Sequence, residues 1–116
     1  MSDRPLGSVK VANEVIAHIA SLTAAQVQGI VGMYPARSRD GHRVLPVSTS
    51  YKGVRVDMGH DALNIELFVI VDHSAHVPTV AAEVQRQVAD AIDKMLGLEV
   101  RQVNVFVGDV RFPEDS

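Results

Sequence analysis

Alternating apolar and polar residues predict a β-hairpin in the middle of the chain. Residues 54–58 and 63–71 each place an apolar side chain at every second position, and a Gly-His-Asp segment at 59–61 separates them. Two alternating runs around such a turn are typical of paired antiparallel strands. In the second run Phe68 and Ile70 make the opposite face apolar too, so we expect both faces of its far end to be covered.

Two further strands are expected near the ends of the chain. Val9 and Val11 alternate with polar residues directly before a helical pattern. Residues 103–107 alternate in the same way, and the apolar parity shifts after Gly108. A β-bulge at Gly108 would explain the shift, because a bulge adds one unpaired residue to a strand.

Apolar residues at spacings of three and four predict two helices. Asn13 is a candidate N-cap of the first helix and Gly29 its expected stop, while Pro78 and Gly97 bracket the second. The apolar positions are Val15, Ile16, Ile19, Leu22, Thr23 and Val27 in the first helix and Val80, Val84, Val88, Ala91, Ile92 and Met95 in the second.

Residues 29–53 are the longest segment without clear periodicity. They include two prolines and several arginines, and a short strand around residues 44–47 would interrupt them. Loops longer than about 12–15 residues are uncommon in compact domains unless they are functional or mobile. We therefore expect a contact surface in this long basic loop.

The predicted element order is strand, helix, strand, strand, helix, strand. A crossover through a helix to a parallel strand is right-handed in nearly all proteins, which places both helices on one face of the sheet. The expected fold is a two-layer α+β sandwich, with two helices on one face of a small mixed sheet. It forms a single domain at residues 7–112, between an N-terminal tail at 1–6 and an acidic tail at 113–116.

Composition narrows the functional classes. The chain has 116 residues, no cysteine and a formal net charge of −3 at pH 7. Without cysteine it can form no disulfide, thiolate zinc site or cysteine nucleophile, which fits a reducing cytoplasm. The negative charge argues against a dedicated nucleic-acid binder. The N-terminus lacks the apolar run of a signal peptide, and no stretch approaches the ~20 apolar residues that span a bilayer, so a membrane location would depend on another protein.

Several blocks of the sequence resemble the alkaline shock proteins, the envelope stress response family of Gram-positive bacteria. The blocks are residues 7–20 with 25–30, Lys52-Gly53-Val54-Arg55-Val56, residues 80–88 with Met95-Leu96-Gly97-Leu98, and residues 100–107. They follow the family's order, and the resemblance covers Gly7 to Phe112. The chain departs from the family at His73-Ser74, where an aromatic residue and glycine usually follow the long central strand.

The resemblance implies a cytoplasmic protein with no enzymatic activity, no cofactor and no small-molecule substrate. It implies a scaffold that forms homo-oligomers and gathers at the inner face of the cell membrane through an integral-membrane anchor protein. Its role would be the homeostasis of the cell envelope under stress. The family offers no catalytic residues to carry over.

Asp72, His73 and His76 are the candidate metal ligands, because a carboxylate and two imidazoles at the end of a strand could converge on an ion. A structural zinc site needs four ligands, and the sequence shows no evident spacing for the rest. We therefore expect no metal, and instead a polar turn in which His76 or a neighbour caps the helix. A metal-dependent enzyme is the alternative that these residues would support.

A basic set gives a second alternative function, the binding of anionic lipid or nucleic acid. The set consists of Arg37, Arg39, Arg43, Lys52 and Arg55. Near an anionic membrane each cation could contribute about 1 kcal/mol. The competing interpretation is a solvated loop that keeps the protein soluble.

A second apolar set lies on strands whose other face already supplies a core. It consists of Phe68, Ile70, Phe106, Val110 and Phe112. Because both helices are expected on the first face, another subunit or the long loop must cover these side chains. They are the candidate protein interface.

Overall fold

A computed structural model describes residues 6–34, 50–51, 53–59 and 62–114. The helices are α1 (Asn13–Ala25) and α2 (Val77–Leu96). The strands are β1 (Ile30–Met33), β2 (Ser50–Tyr51), β3 (Val54–Met58), β4 (Leu63–Asp72) and β5 (Val100–Arg111).

The strand β4 is the centre of the sheet. On one side β5 runs parallel to it, and α2 makes the crossover connection that a parallel pair needs. On the other side β3 pairs antiparallel with the first half of β4, from Met58↔Leu63 to Val54↔Leu67. The second half of β4 pairs antiparallel with β1, and β2 extends the sheet beyond β3.

Phe68 lies where β1 and β3 meet along β4. Its backbone N–H donates to the carbonyl of Gly53 (2.7 Å), and its carbonyl accepts the N–H of Tyr34 (2.8 Å). Gly53 has a φ of 81°, and a Cβ there would lie 2.7 Å from the Tyr34 carbonyl oxygen and 2.9 Å from that of Phe68. Glycine is therefore required at this junction, both for its backbone conformation and for the space.

Both helices pack on one face of the sheet, in one core. Five alternate residues of β4, from Leu63 to Val71, are at most 2% exposed. The apolar stripe of α2 and the small face of α1 meet them. The buried residues of the helices are Ile16, Ala17, Ala20, Ser21 and Ala24 in α1 and Val80, Val84, Val88 and Ile92 in α2.

The α+β class, with two helices on one face of a small mixed sheet, is confirmed. The hairpin at 54–71 and the helix between Pro78 and Gly97 are also where the pattern places them. The bulge at Gly108 is confirmed, since Val69 pairs with Val107 while Ile70 pairs with Asp109. Gly97 ends α2 in the left-handed conformation, with φ 70°.

Two expectations about the strands differ from the structure. The prediction of a strand at Val9 and Val11 is wrong, because residues 8–12 form neither strand nor helix, and Val9 is exposed. The segment 29–53 is less irregular than expected, because β1 and β2 lie within it. The strand suggested at 44–47 lies outside the described residues.

Candidate protein-interaction surface

The face of the sheet opposite the helices, called here the outer face, divides into two halves. Along β4 every second side chain, from Asn64 to Asp72, points to it and is partly exposed. The first half carries the polar side chains Asn64 and Glu66. The second half carries Phe68 and Ile70. The change from polar to apolar along one strand places the apolar residues together, beside the end of β1 and the middle of β5.

An aromatic patch occupies the second half of the outer face. It consists of Tyr34, Phe68, Ile70 and Phe106. Phe68 and Phe106 are register partners on β4 and β5, and their rings stack with centroids 4.9 Å apart and planes 18° apart. Phe106 is 44% exposed and Tyr34 is 38% exposed. No helix or strand of the described residues lies over this patch, so aromatic surface remains in contact with water.

Tyr34 reaches across β4 to Gly108. A Cβ at Gly108 would lie 2.5 Å from Cδ2 of Tyr34, too close for two carbon atoms that are not bonded to each other. The bulge at Gly108 therefore makes room for the ring. Sequence reasoning missed Tyr34, although a glycine inside a strand often marks the close approach of another group. The pattern indicated the approach without identifying which residue makes it.

Two of the five residues in the predicted interface lie elsewhere. Val110 pairs with Val71 and packs against the core, because the bulge returns the strand to its inward parity. Phe112 follows the end of β5 beside His73, with ring centroids 5.8 Å apart. The interface prediction is therefore wrong in including Val110 on the outer face, and Phe112 lies at its margin. Phe68, Ile70 and Phe106 do lie together.

The polar half of the outer face carries Arg55, the one member of the basic set within the described residues. Its guanidinium Nη2 lies 3.2 Å from Oε1 of Glu66, its register partner on β4. Arg37, Arg39, Arg43 and Lys52 lie outside the described residues. Arg55 thus forms an ion pair with a carboxylate on the neighbouring strand.

The segment from Asp72 to His76 forms the turn between β4 and α2. The Asp72 carboxylate accepts the hydroxyl and the backbone N–H of Ser74, the latter at 3.0 Å. These bonds, the hydroxyl bond foremost, hold the pKa of Asp72 below its usual value. His76 is the N-cap residue of α2, and its Nδ1 lies 2.7 Å from Oγ1 of Thr79. The local bonds of Asp72 and His76 are those of a polar turn that starts a helix.

These residues line an open cleft of about 630 Å³ between the end of α1 and the start of α2. Glu83, also in its lining, accepts hydrogen bonds from Arg86 and Gln87 that lower its pKa. Within the described ranges, no three histidine, aspartate or glutamate side chains are grouped to hold a metal ion. The ionisable groups of the cleft bond to their neighbours along the chain and do not converge on one point.

None of the helices described is both long and apolar enough to cross a membrane.

Several proteins of Bacillus subtilis and Streptococcus pyogenes are similar to this chain in sequence. YloU of Bacillus subtilis is 33% identical over 107 residues, which are 90% of this chain and 89% of that protein. YqhY of the same organism is 29% identical over 110 residues, 95% of this chain and 82% of that protein. A stress response regulator gls24 homolog of Streptococcus pyogenes is 26% identical over 111 residues, and the match spans only 61% of its length.

Among solved structures, a MamM CTD variant aligns with a TM-score of 0.51 at 14% identity, covering 89% of this chain and all of that one. A manganese form of another MamM CTD variant gives the same score at 16% identity, covering 85% and 99%. At these identities the likeness concerns the fold alone. The model of the alkaline shock protein 23 family, described as having a cell envelope-related function, matches residues 1–112. The chain therefore belongs to that family.

Proposed function

We propose that this protein is a non-enzymatic scaffold of the envelope stress response, which binds a membrane-anchored protein through the aromatic patch and associates with itself. The observation that carries the proposal is the patch: four large apolar side chains, contiguous on the outer face, without a covering layer among the described residues. Isolated surface apolar residues need no explanation, whereas contiguous ones mark interaction sites.

The chemistry of the patch suits a protein partner. Phe and Tyr bury large areas and lose little conformational entropy on binding, which is why aromatic residues dominate the energetics of protein interfaces. The Arg55–Glu66 pair beside the patch supplies a polar margin. A flat surface of this kind offers no enclosed volume for a small substrate.

The location at the inner face of the membrane is part of the proposal. Its support is the family's relation to the cell envelope. A membrane-anchored partner would give such a chain its place at the membrane. The relatives named for stress response support the same setting.

A pull-down from membranes of the native host tests the proposal. The wild-type protein is expected to retain an integral-membrane protein, and Phe106→Ser is expected to reduce its recovery at least about tenfold, since truncating a central aromatic anchor costs ~2 kcal/mol or more. Phe112→Ser is the matched control, because Phe112 is more exposed, at 67%, yet lies off the patch.

Raising the salt concentration separates the patch from the basic set. A complex held by aromatic contacts is expected to survive high salt, whereas contacts between arginines and anionic lipid or nucleic acid weaken as ions screen them. Equal recovery by wild type and Phe106→Ser, or retention of RNA or lipid alone, would contradict the proposal. Circular dichroism melting of both variants confirms that each is folded.

A further inference from the structure

The strand β5 has one unpaired edge. It runs for 12 residues, from Val100 to Arg111, and pairs with β4 alone among the strands described. Its other side therefore presents a row of backbone N–H and carbonyl groups. From another element, the Gln85 side chain reaches it and donates to the Val103 carbonyl at 3.1 Å. A carbonyl oxygen has two lone pairs, so this bond leaves Val103 able to accept another.

The middle of this edge lacks the features that usually prevent pairing. Proteins protect edge strands with bulges, charges, proline or a short length. In β5 the bulges fall at Arg101 and Gly108, on either side of residues 102–107. Those six residues, Gln-Val-Asn-Val-Phe-Val, contain no charge, glycine or proline. An uncharged six-residue segment with strong β-propensity is a template for another strand.

The charges that flank the segment are arranged symmetrically about Val105. Arg101 and Asp109 lie four residues from it on either side, and Glu99 and Arg111 lie six residues away. All four side chains are exposed, and none forms an ion pair with a described residue. In an antiparallel pair of identical strands centred on Val105, Arg101 faces Asp109 of the other copy, and Glu99 faces Arg111. Every charge then meets its opposite.

We propose that two copies of this chain pair edge to edge, antiparallel through β5, with the two-fold axis at Val105. The proposal deepens the self-association in the proposed function, on which it rests, by naming the surface and the register. We infer that the strand pairing with this edge comes from a second copy of the chain, because in this register each flanking charge faces an opposite charge of the other copy. A shift by one residue would place Arg101 opposite Gly108 and lose that complementarity.

The pairing has a direct effect on the aromatic patch. A two-fold axis perpendicular to the sheet joins the two sheets into one and keeps both outer faces on the same side. Phe106 is the neighbour of Val105, so the two patches meet near the axis. The dimer would present one patch of twice the area, which a partner with two matching sites binds more tightly than either half.

Two charge-reversal variants, measured separately and as a mixture, test the register of the β5 pairing. By sedimentation velocity the wild type is expected to show a concentration-dependent dimer. Arg101→Asp places like charges opposite each other at two symmetric positions and is expected to weaken the dimer about tenfold or more. Asp109→Arg does the same with the opposite sign. An equimolar mixture of the two variants restores every opposite-charge contact, so it is expected to dimerise like the wild type.

Lys94→Asp is the matched control, because it changes the net charge by the same amount as Arg101→Asp at an exposed position of α2. It is expected to leave the dimer unchanged. A wild type that stays monomeric at all soluble concentrations would overturn the proposal, and so would a mixture that dimerises no better than its components.

The result of the dimerisation experiment can be distinguished from the result of the pull-down that tests the proposed function. Loss of membrane-protein capture in Phe106→Ser alongside a monomeric wild type removes only the edge pairing. A dimer with the expected charge behaviour, but without membrane-protein capture, removes only the partner binding.

Discussion

At Gly108 the ring of Tyr34 occupies the space that a side chain would need. The bulge and the missing Cβ act together, because the extra residue lets the strand accommodate the ring and glycine leaves the volume free. Tyr34 thereby joins residues from both sides of β4 into one patch. The composition of the outer face depends on a residue that contributes no side chain to it.

Gly108→Ala is expected to destabilise the protein by about 1–3 kcal/mol, the usual cost of overpacking, because its Cβ would lie 2.5 Å from Tyr34. Urea unfolding measures the change in the free energy of unfolding. Gly59→Ala is the control, since a Cβ there meets only ordinary contact, 3.5 Å from the Ala62 carbonyl oxygen.

The same substitution in a Tyr34→Ala background is expected to cost much less, because the clashing ring is absent. An equal cost in both backgrounds would show that Tyr34 is not the source of the strain.

At this scale the sequence predicts local features well and long-range contacts poorly. The bulge at Gly108 follows from the shift in apolar parity, which is visible in consecutive residues. The approach of Tyr34 does not, because it joins positions far apart in the chain. The sequence pattern places Val110 on the wrong face for a related reason: the bulge restores inward parity, and the residue from which it does so depends on the pairing with β4.

Among the elements, α2 follows its sequence pattern most closely, although Met95, expected in its apolar stripe, is exposed. Its apolar stripe is narrow, its other face is charged, and Pro78 and Gly97 mark its ends. The ends of α1 are less well marked: Ala12 is its N-cap residue, with no side-chain hydrogen bond, and Asn13 is already helical. The sequence pattern does not predict β1, because four residues that include a glycine are too few to show an alternation.

Ile92→Ala is expected to lower the free energy of unfolding by about 2–5 kcal/mol, because Ile92 is fully buried in α2 and its removal leaves a cavity. Met95→Ala, in the same helix at 67% exposure, is expected to change it by less than about 0.5 kcal/mol. Chemical denaturation of both variants makes the comparison. A similar loss for both would mean that burial of the side chain in the core does not determine the cost, because alanine favours the helix at either position.

For the molecule as a whole, β4 is the structural centre. It is hydrogen-bonded to other strands along both of its edges, and its inward side chains pack in the core against both helices. Any opening that exposes its amides must separate the sheet or the two layers. Among the described strands, β5 pairs with β4 alone.

Native-state hydrogen exchange is therefore expected to be slowest in β4, with opening free energies near that of global unfolding. Alternate amides of β5, on the side away from β4, are expected to exchange much faster in dilute protein. Exchange measured residue by residue by NMR makes the test. Fast exchange in the middle of β4 would mean that the sheet opens locally at its centre.

Phe68 bonds Gly53 through its backbone N–H and Tyr34 through its carbonyl, and this has a consequence for how the family can vary. It fixes the two ends of the intervening stretch beside each other, independently of how many residues lie between them. The entropic cost of closing such a stretch rises by only about 0.6 kcal/mol for each doubling of its length. Insertions and deletions among homologues are therefore expected to accumulate between these two anchors.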